Sequence, residues 1–177
     1  LIVIALSKNL HEEEEFMSIN FRVGHGYDVH AFETGDYITL GGVNIPYRMG
    51  LKAHSDGDVV IHALVDALLG ACALGDIGHH FADTDERWRN KDSRLFLQTT
   101  VQMLEEKNWS INNADITIIA EAPKLKDYLA EMRFNLAQDM KINLDQINLK
   151  ATTTEKLGFI GRQEGIAATA ITLLQTR

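Results

Sequence analysis

The segment from residue 57 to about residue 74 constrains the fold more than any other part of this chain. Most of its positions are apolar with helical spacing, and Ser55 or Asp56 precedes it as the expected N-cap. A helix that is apolar on nearly all sides has to be covered by other elements. The sequence therefore predicts a buried central helix, in which each polar side chain needs a partner.

Strand and helix patterns alternate along the rest of the chain. Strands are expected over residues 21–32, 37–40, 43–46, 115–122, 147–152 and 165–174, helices over residues 93–107 and 126–140, and a polar loop over residues 75–85. Strands that alternate with helices are typical of an α/β (α+β) sandwich, in which helices cover a mixed β-sheet. The chain contains no repeat, linker or low-complexity segment, so residues 17–177 are expected to form one domain.

The acidic charge of the chain is concentrated at its beginning. The formal net charge is −8, and residues 1–16 contribute −3 through Lys8 and four glutamates, which leaves −5 for residues 17–177. A mildly acidic domain without a basic stripe argues against nucleic acid as a partner. Residues 1–16 are interpreted as an upstream extension or an expression scar. No segment is apolar for the about 18 residues that a membrane helix needs, so we expect a soluble protein of the cytoplasm or the plastid stroma, without a membrane partner.

Asp28, His30 and His62 are the strongest candidates for a metal site. Asp28 and His30 are two residues apart in an expected strand, so their side chains leave the same face. His62 lies in the buried helix, and one carboxylate with two histidines suits zinc with a fourth position open for catalysis. Spacing alone leaves an alternative open, because a single histidine is more often a hydrogen-bonded core or surface residue.

Asp58, His62 and Asp66 recur every four residues along the same helix and form a polar stripe. Such a stripe is either a solvated helix face or the lining of a site, where an aspartate would be the hydrogen-bond partner of His62. Because the helix is otherwise apolar, we favour the second interpretation.

Two further segments have the composition of phosphate sites. Residues 53–58 place hydrogen-bonding side chains and a glycine at a helix N-terminus, where backbone N–H groups favour anions. Residues 150–158 combine three threonines, Glu155 and two lysines at a strand end, which suits a phosphate and a magnesium ion together. Residues 120–125 would then form a rigid elbow, whose exposed backbone could contact a flat ring of a ligand. The alternative for residues 53–58 is an ordinary helix cap, and the alternative for residues 150–158 is a polar turn after a strand.

Taken in order, these motifs resemble one family closely, the 2-C-methyl-D-erythritol 2,4-cyclodiphosphate synthases of the non-mevalonate isoprenoid pathway. The resemblance runs from about Phe21 to the C-terminus and is carried by residues 24–30, 53–58, 75–78, 83–85, 122–124 and 151–159. The combination is far more specific than any one motif. One departure is Ala82, where the family usually has proline, and residues 1–16 have no counterpart in the family.

The resemblance implies a role for each site residue. Zinc would be bound by Asp28, His30 and His62, and magnesium or manganese by Glu155. His54 and Thr153 would orient phosphate oxygens and stabilise the developing charge. The implied substrate contacts on the zinc side are Asp28, Val29, His30, His54, Ser55, Asp76, Ile77, Gly78, Phe81, Ala82, Asp83, Thr84 and Asp85. Those on the cytidine and phosphate side are Ala120, Glu121, Ala122, Pro123, Lys124, Leu125, Lys126, Thr152, Thr153, Thr154 and Glu155, with Phe159 and Arg162 near an axial cavity.

The resemblance also implies a homotrimer with helices on one face of each sheet, a central apolar cavity, and active sites between subunits. The implied substrate is 4-diphosphocytidyl-2-C-methyl-D-erythritol 2-phosphate, whose 2-phosphate attacks the β-phosphorus and expels CMP. The central cavity of the family can hold an isoprenoid diphosphate. Two other functions stay open: a zinc-dependent phosphohydrolase, in which water is the attacking group, and a non-catalytic trimer that binds an isoprenoid diphosphate.

Overall fold

The structure, a computed structural model, describes residues 20–82, 88 and 91–177. Its strands are β1 (Phe21–Thr34), β2 (Tyr37–Leu40), β3 (Val43–Pro46), β4 (Met49–Leu51), β5 (Trp109–Ile119), β6 (Ile147–Thr152) and β7 (Gly165–Thr176). Its helices are α1 (Val59–Ala71), α2 (Ile77–His80), α3 (Arg94–Glu106), α4 (Leu129–Met140) and α5 (Gly158–Gly161), with a 3-10 turn at Leu144–Gln146. The predictions for residues 1–16 and for Asp83, Thr84 and Asp85 lie outside the described residues.

Five strands form a mixed sheet in the order β4-β1-β7-β5-β6. β7 is antiparallel to both β1 and β5, whereas β5 and β6 are parallel and place Ile119 opposite Thr152. β2 and β3 form a separate hairpin, whose turn at Gly41 and Gly42 has φ angles of 56° and 70°. Positive φ at both turn positions favours glycine. The mixed α/β class that the sequence predicts is confirmed.

Several element boundaries differ from the predictions. β4, α2 and α5 were not predicted, because elements of three or four residues show no measurable periodicity and these three lack the glycine turn that identifies the β2–β3 hairpin. β5 begins at Trp109 rather than at residue 115, because an irregularity between Ile111 and Asn113 interrupts its alternation. The N-cap of α1 is Asp58 rather than Ser55 or Asp56.

α1 packs against β1 at unusually short range. A Cβ atom at Gly24 would lie 1.8 Å from the carbonyl oxygen of Ala67, and one at Gly26 would lie 1.9 Å from that of Ala63. Only glycine therefore permits this approach of helix and strand. Ten of the 13 residues of α1 are buried, so the predicted burial of the central helix is confirmed.

The opposite face of the sheet carries exposed apolar side chains. Residues of β1 alternate, so that Gly24, Gly26, Asp28 and His30 face α1 while their neighbours face away. Large exposed side chains on the outer face are Phe21, Val23, Tyr27, Val29 and Ile171. Exposed apolar side chains grouped on one face of a sheet are a candidate interaction face. Among the described residues, no helix is long and apolar enough to cross a membrane.

Candidate metal centre and substrate pockets

Three potential ligand atoms lie at the corners of a small triangle, one each from Asp28, His30 and His62. These three residues are hereafter called the metal cluster. Asp28 Oδ2 lies 3.0 Å from His30 Nε2 and 3.1 Å from His62 Nδ1, and the two nitrogens lie 3.1 Å apart. With metal–ligand bonds of about 2.0 Å, the edge of a tetrahedron is about 3.3 Å, so the three atoms fit three corners of a zinc site. The residues that the sequence predicts as metal ligands are thus brought together.

The hydrogen bond made by His30 Nδ1 determines whether His30 Nε2 presents a hydrogen or a lone pair to the metal cluster. His30 Nδ1 lies 3.0 Å from the backbone oxygen of Lys52, which can only accept a hydrogen bond. In the neutral ring, the form that binds a metal, Nδ1 therefore carries the proton and the lone pair of Nε2 faces Asp28 and His62. Electron-rich atoms that converge in this way fit a bound cation.

The ionisation of Asp28 and His30 is coupled. Burial would raise the pKa of Asp28, but the close contacts of its carboxyl with the rings of His30 and His62 outweigh it and hold the pKa of this carboxyl well below its ordinary value. Burial would lower the pKa of His30, but the hydrogen bond and the charge of Asp28 outweigh it and raise that pKa. The carboxyl group of Asp28 is therefore charged at neutral pH, as metal binding requires.

Of the polar stripe on α1, His62 belongs to the metal cluster, whereas Asp58 and Asp66 accept backbone N–H groups elsewhere. The interpretation of either aspartate as the hydrogen-bond partner of His62 is therefore wrong. Asp58 is fully buried and accepts hydrogen bonds from the backbone N–H groups of Gly41, Gly42, Val60 and Ile61. It therefore caps α1 and ties the helix to the β2–β3 turn. Asp66 accepts the N–H of Ile77 at 2.7 Å, which anchors the start of α2.

The partners of His62 are instead Ser93, Ser55 and, through Ser93, Asp56. His62 Nε2 lies 2.9 Å from Ser93 Oγ and 3.2 Å from Ser55 Oγ. The Ser93 hydroxyl donates to the carboxylate of Asp56. Ser93 and Asp56 were not predicted as residues around the metal cluster, because 37 residues separate them and only the fold brings them together. The one sequence signal was a serine at the start of a helix, which is also the ordinary sign of a cap.

A cavity of about 580 Å³ opens beside the metal cluster. Of the residues implied on the zinc side, it is lined by Asp28, His30, His54, Ser55, Ile77, Gly78 and Phe81. Trp88 and Phe96 complete an aromatic wall, in which the rings of Phe81 and Phe96 stack at 4.8 Å. A polar floor with an apolar wall can orient a charged molecule and exclude water.

Three predicted contacts on this side have other positions. Asp76 accepts the N–H of His79 and caps α2. Val29 is 41% exposed on the outer face of the sheet, away from its neighbours Asp28 and His30. Ala82 is not among the residues that line the cavity.

A second cavity, of about 330 Å³, lies at the ends of β5 and β6 and is hereafter the elbow pocket. It is lined by Ala120, Glu121, Pro123, Lys124, Leu125, Lys126, Ala151, Thr152 and Thr153. The Ala122–Pro123 peptide bond is cis. The elbow pocket and the cavity beside the metal cluster share no lining residue. Of the contacts predicted on this side, Ala122, Thr154 and Glu155 are not among the lining residues. Part of each predicted group is thus gathered at its own cavity.

Residues 152–157, hereafter the threonine loop, border the elbow pocket and are held by the carboxylate of Glu121. Glu121 Oε1 accepts the N–H groups of Thr154 and Lys156, each at 3.0 Å, and the Thr154 hydroxyl at 3.2 Å. The hydrogen bond from Lys156 is the main cause that lowers the pKa of Glu121, followed by those from Thr154. Glu155 and Lys156 have φ angles of 52° and 66°, which are unfavourable for side-chain-bearing residues. Glu121 therefore offsets a strained backbone.

Thr153 and Glu155 present their polar groups on the exposed side of the threonine loop. The Thr153 hydroxyl donates to Glu155 Oε1 at 2.8 Å. One carboxylate beside a hydroxyl suits a magnesium ion that takes its other ligands from phosphate and water. Phe159 and Arg162 lie further along, in and after α5, where Arg162 pairs with Glu164 at 2.7 Å. Both partners of this pair are exposed.

Comparisons with known proteins agree on one family. The sequence profile of the YgbB family matches residues 21–175. The 2-C-methyl-D-erythritol 2,4-cyclodiphosphate synthase of Azotobacter vinelandii is 59% identical over 153 residues, which cover 86% of this chain and 98% of the relative. The synthase of the same name from Pseudomonas paraeruginosa is 60% identical over 156 residues, covering 88% and 99%.

Solved structures give the same result. The CDP complex of IspF from Plasmodium falciparum superposes with a TM-score of 0.79 at 35% identity, covering 89% of this chain and 97% of that chain. The bifunctional IspDF from Campylobacter jejuni gives a TM-score of 0.87 at 45% identity. The match covers 90% of this chain and 43% of that longer protein.

Proposed function

Because this chain belongs to the YgbB family of 2-C-methyl-D-erythritol 2,4-cyclodiphosphate synthases, we propose that it cyclises 4-diphosphocytidyl-2-C-methyl-D-erythritol 2-phosphate and releases CMP. The observation that supports this reaction most is the metal cluster at the floor of a cavity. Residues 17–177 would form the single catalytic domain.

The reaction makes one phosphorus–oxygen bond and breaks another. An oxygen of the 2-phosphate bonds to the β-phosphorus, the bond from the β-phosphorus to the α–β bridging oxygen breaks, and CMP leaves with that oxygen. The attacking group is already an anion, so the chain needs no strong general base. The difficulty is to bring one phosphate onto another against charge repulsion, and orientation is the main contribution of the protein.

The residues present fit two cations with different roles. Asp28, His30 and His62 would hold zinc, and Glu155 would hold magnesium or manganese. When bound, such ions polarise phosphate oxygens and neutralise the charge that develops on them. The chain's own part is to fix these ligands, because the carboxylate of Asp28 is charged and the rings of His30 and His62 point inward.

His54, Ser55 and Thr153 would bind and orient the phosphates. His54 and Ser55 line the cavity beside the metal cluster, and the Ser55 hydroxyl lies 3.2 Å from His62 Nε2. Thr153 lines the elbow pocket, where the cytidine ring would lie against residues 120–126. Donors that already point at the transferred group stabilise charge in the transition state without reorganisation.

A homotrimer would join the two cavities into one active site. In a single chain they share no lining residue, so a substrate that needs both would bridge neighbouring subunits. The exposed apolar side chains of β1 and β7 supply a surface that such an assembly would bury. The region of Phe159 and Arg162 would then lie near a central cavity, where Arg162 could meet an isoprenoid diphosphate.

The product of the reaction tests the proposal. Phosphorus NMR of the diphosphocytidyl substrate with zinc and magnesium should show a cyclic diphosphate and CMP in equal amounts. An opened phosphate would instead support a zinc-dependent phosphohydrolase, with water as the attacking group. No turnover by a zinc-loaded trimer would favour a non-catalytic binder of isoprenoid diphosphates.

A further inference from the structure

We propose that Ser93 and Asp56 are positioning residues, which fix the ring of His62 so that Nδ1 faces the metal. This role rests on the metal site of the proposed function. It is carried by a chain of hydrogen bonds that runs from His62 through the Ser93 hydroxyl to the Asp56 carboxylate.

The Asp56 carboxylate is the last acceptor in this series of hydrogen bonds, and it sets the direction of the others. A charged carboxylate can only accept, so the single hydroxyl hydrogen of Ser93 points at Asp56. Ser93 Oγ then offers only lone pairs to His62 Nε2, which lies 2.9 Å away. Nε2 is therefore the nitrogen that carries the hydrogen, and Nδ1 presents its lone pair to the cluster.

Backbone N–H groups hold the Asp56 carboxylate in place. Asp56 Oδ2 accepts the N–H of Ser93 at 2.9 Å, and Asp56 Oδ1 accepts the N–H of Asp58 at 3.2 Å. The carboxylate is thus fixed between the loop before α1 and the start of α3. An acceptor that cannot rotate keeps the Ser93 hydroxyl, and through it the imidazole ring, in one orientation.

Ser93 itself is not used as a helix cap. It is the N-cap residue of α3 and is fully buried, but its side chain makes no hydrogen bond to the first turn. A serine at this position normally accepts an N–H from that turn and stabilises the helix. Here its hydroxyl lies between His62 and Asp56 instead.

Ser55 offers a weaker contact to the same nitrogen. Its hydroxyl oxygen lies 3.2 Å from His62 Nε2 and also accepts the N–H of Gly57 at 3.3 Å. No carboxylate is bonded to the Ser55 hydroxyl in the described residues, so nothing fixes the direction of its hydrogen. Ser55→Ala is therefore a matched control, because it removes one hydroxyl from the same nitrogen.

The test uses zinc alone as the probe and does not depend on turnover. Zinc affinity is measured by chelator competition for the full chain and its variants. Ser93→Ala and Asp56→Asn should lower the affinity by about 10-fold to 100-fold, the range found when the partner of a ligand is lost. Ser55→Ala should have a smaller effect. Asp66→Asn, which removes a nearby charge that is not bonded to His62, should have little effect.

Proton NMR of the zinc-loaded protein supplies a second readout. The Nε2 hydrogen of His62 should be shifted downfield and protected from exchange in the unaltered chain and in Ser55→Ala. It should lose both properties in Ser93→Ala and Asp56→Asn. If Ser93→Ala fails to fold, Asp56→Asn carries the comparison.

Two results separate this role from the proposed function. Zinc binding by the unaltered chain, with unchanged affinity and an unchanged Nε2 signal in both Ser93→Ala and Asp56→Asn, would overturn the positioning role alone. An effect of Ser55→Ala as large as that of Ser93→Ala would overturn it too. An unaltered chain that binds no zinc would overturn the metal assignment on which both depend.

Discussion

The metal cluster and the threonine loop are held in place by different means. The ligands of the cluster project from β1 and α1, whose spacing is set by two glycines and whose helix is capped by a buried carboxylate. The threonine loop is exposed and follows β6, and two of its residues have left-handed backbone angles. A single carboxylate, Glu121, organises it.

This difference shows which parts of a site a chain can prepare in advance. Buried regular elements can hold ligands for a metal at fixed distances without the substrate. An exposed loop can present a hydroxyl and a carboxylate, but the phosphate and cation contacts proposed for it would be completed only with the substrate. We therefore expect changes on the cluster side to abolish metal binding or folding, and changes on the loop side to weaken substrate and magnesium binding by degrees.

The largest effect on activity is expected from His62→Ala. Loss of one of three ligands should release zinc and lower turnover on the order of 1000-fold, since such ions contribute several kcal/mol to the transition state. The fold should persist, because the imidazole borders a cavity. Elemental analysis and circular dichroism check both points, with His79→Ala as the control histidine. Full zinc content in His62→Ala would contradict the ligand assignment.

Asp58→Ala should have the largest effect on stability. Four backbone N–H groups would lose their acceptor in the interior, so we expect the free energy of unfolding to fall by about 3 kcal/mol. Asp66→Ala is the control, because Asp66 accepts only the N–H of Ile77 among the hydrogen bonds of the described chain. Urea denaturation measures the difference, and equal stabilities would show that the cluster side does not depend on this cap.

Glu155→Gln probes the loop side. The amide keeps the size of the side chain but loses its charge, so the magnesium concentration for half-maximal turnover should rise by about tenfold. Zinc content should not change, since Glu155 is not one of the cluster residues. A magnesium titration that superposes on that of the unaltered chain would exclude Glu155 as a ligand.

The smallest effect is expected at Glu121, where two substitutions sharpen the comparison. Glu121→Gln keeps a carbonyl oxygen that can accept the N–H groups of Thr154 and Lys156, whereas Glu121→Ala removes it. We expect Glu121→Ala to weaken the binding of CMP, the nucleotide product of the proposed reaction, by roughly fivefold and Glu121→Gln to weaken it less. Calorimetry with CMP measures both. Equal affinities in the two variants would mean that Glu121 does not shape the loop through its acceptor oxygen.

Sequence patterns predicted the cluster because its ligands lie in strongly patterned elements. Alternation in β1 placed Asp28 and His30 on one face, and the apolar α1 made His62 conspicuous. The family that the ordered motifs resemble is confirmed by the match over residues 21–175. Local signals were sufficient at these positions because each side chain points where its own element directs it.

The hydrogen-bond partners that hold the metal cluster in place could not be predicted from the sequence in the same way. Asp56 and Ser93 meet only because α1 and α3 pack together, and neither position has a periodic signal. Asp58 was placed on a site-lining stripe, although its carboxylate is bonded to the turn at Gly41 and Gly42. Spacing along a helix identifies a shared face, but the packing of other elements decides what that face meets.

Complementation between two inactive variants tests the shared site most directly. His62→Ala removes a ligand from the cluster, and Thr153→Val removes the hydroxyl from the threonine loop, so each parent should be nearly inactive. Subunits are mixed in equal amounts, exchanged by refolding, and the exchange is verified by mass. Random trimers should recover about one quarter of the unaltered activity, because one of four equally frequent neighbour pairs joins two intact halves. Activity that stays at the level of the parents after verified exchange would mean that each chain holds a complete site.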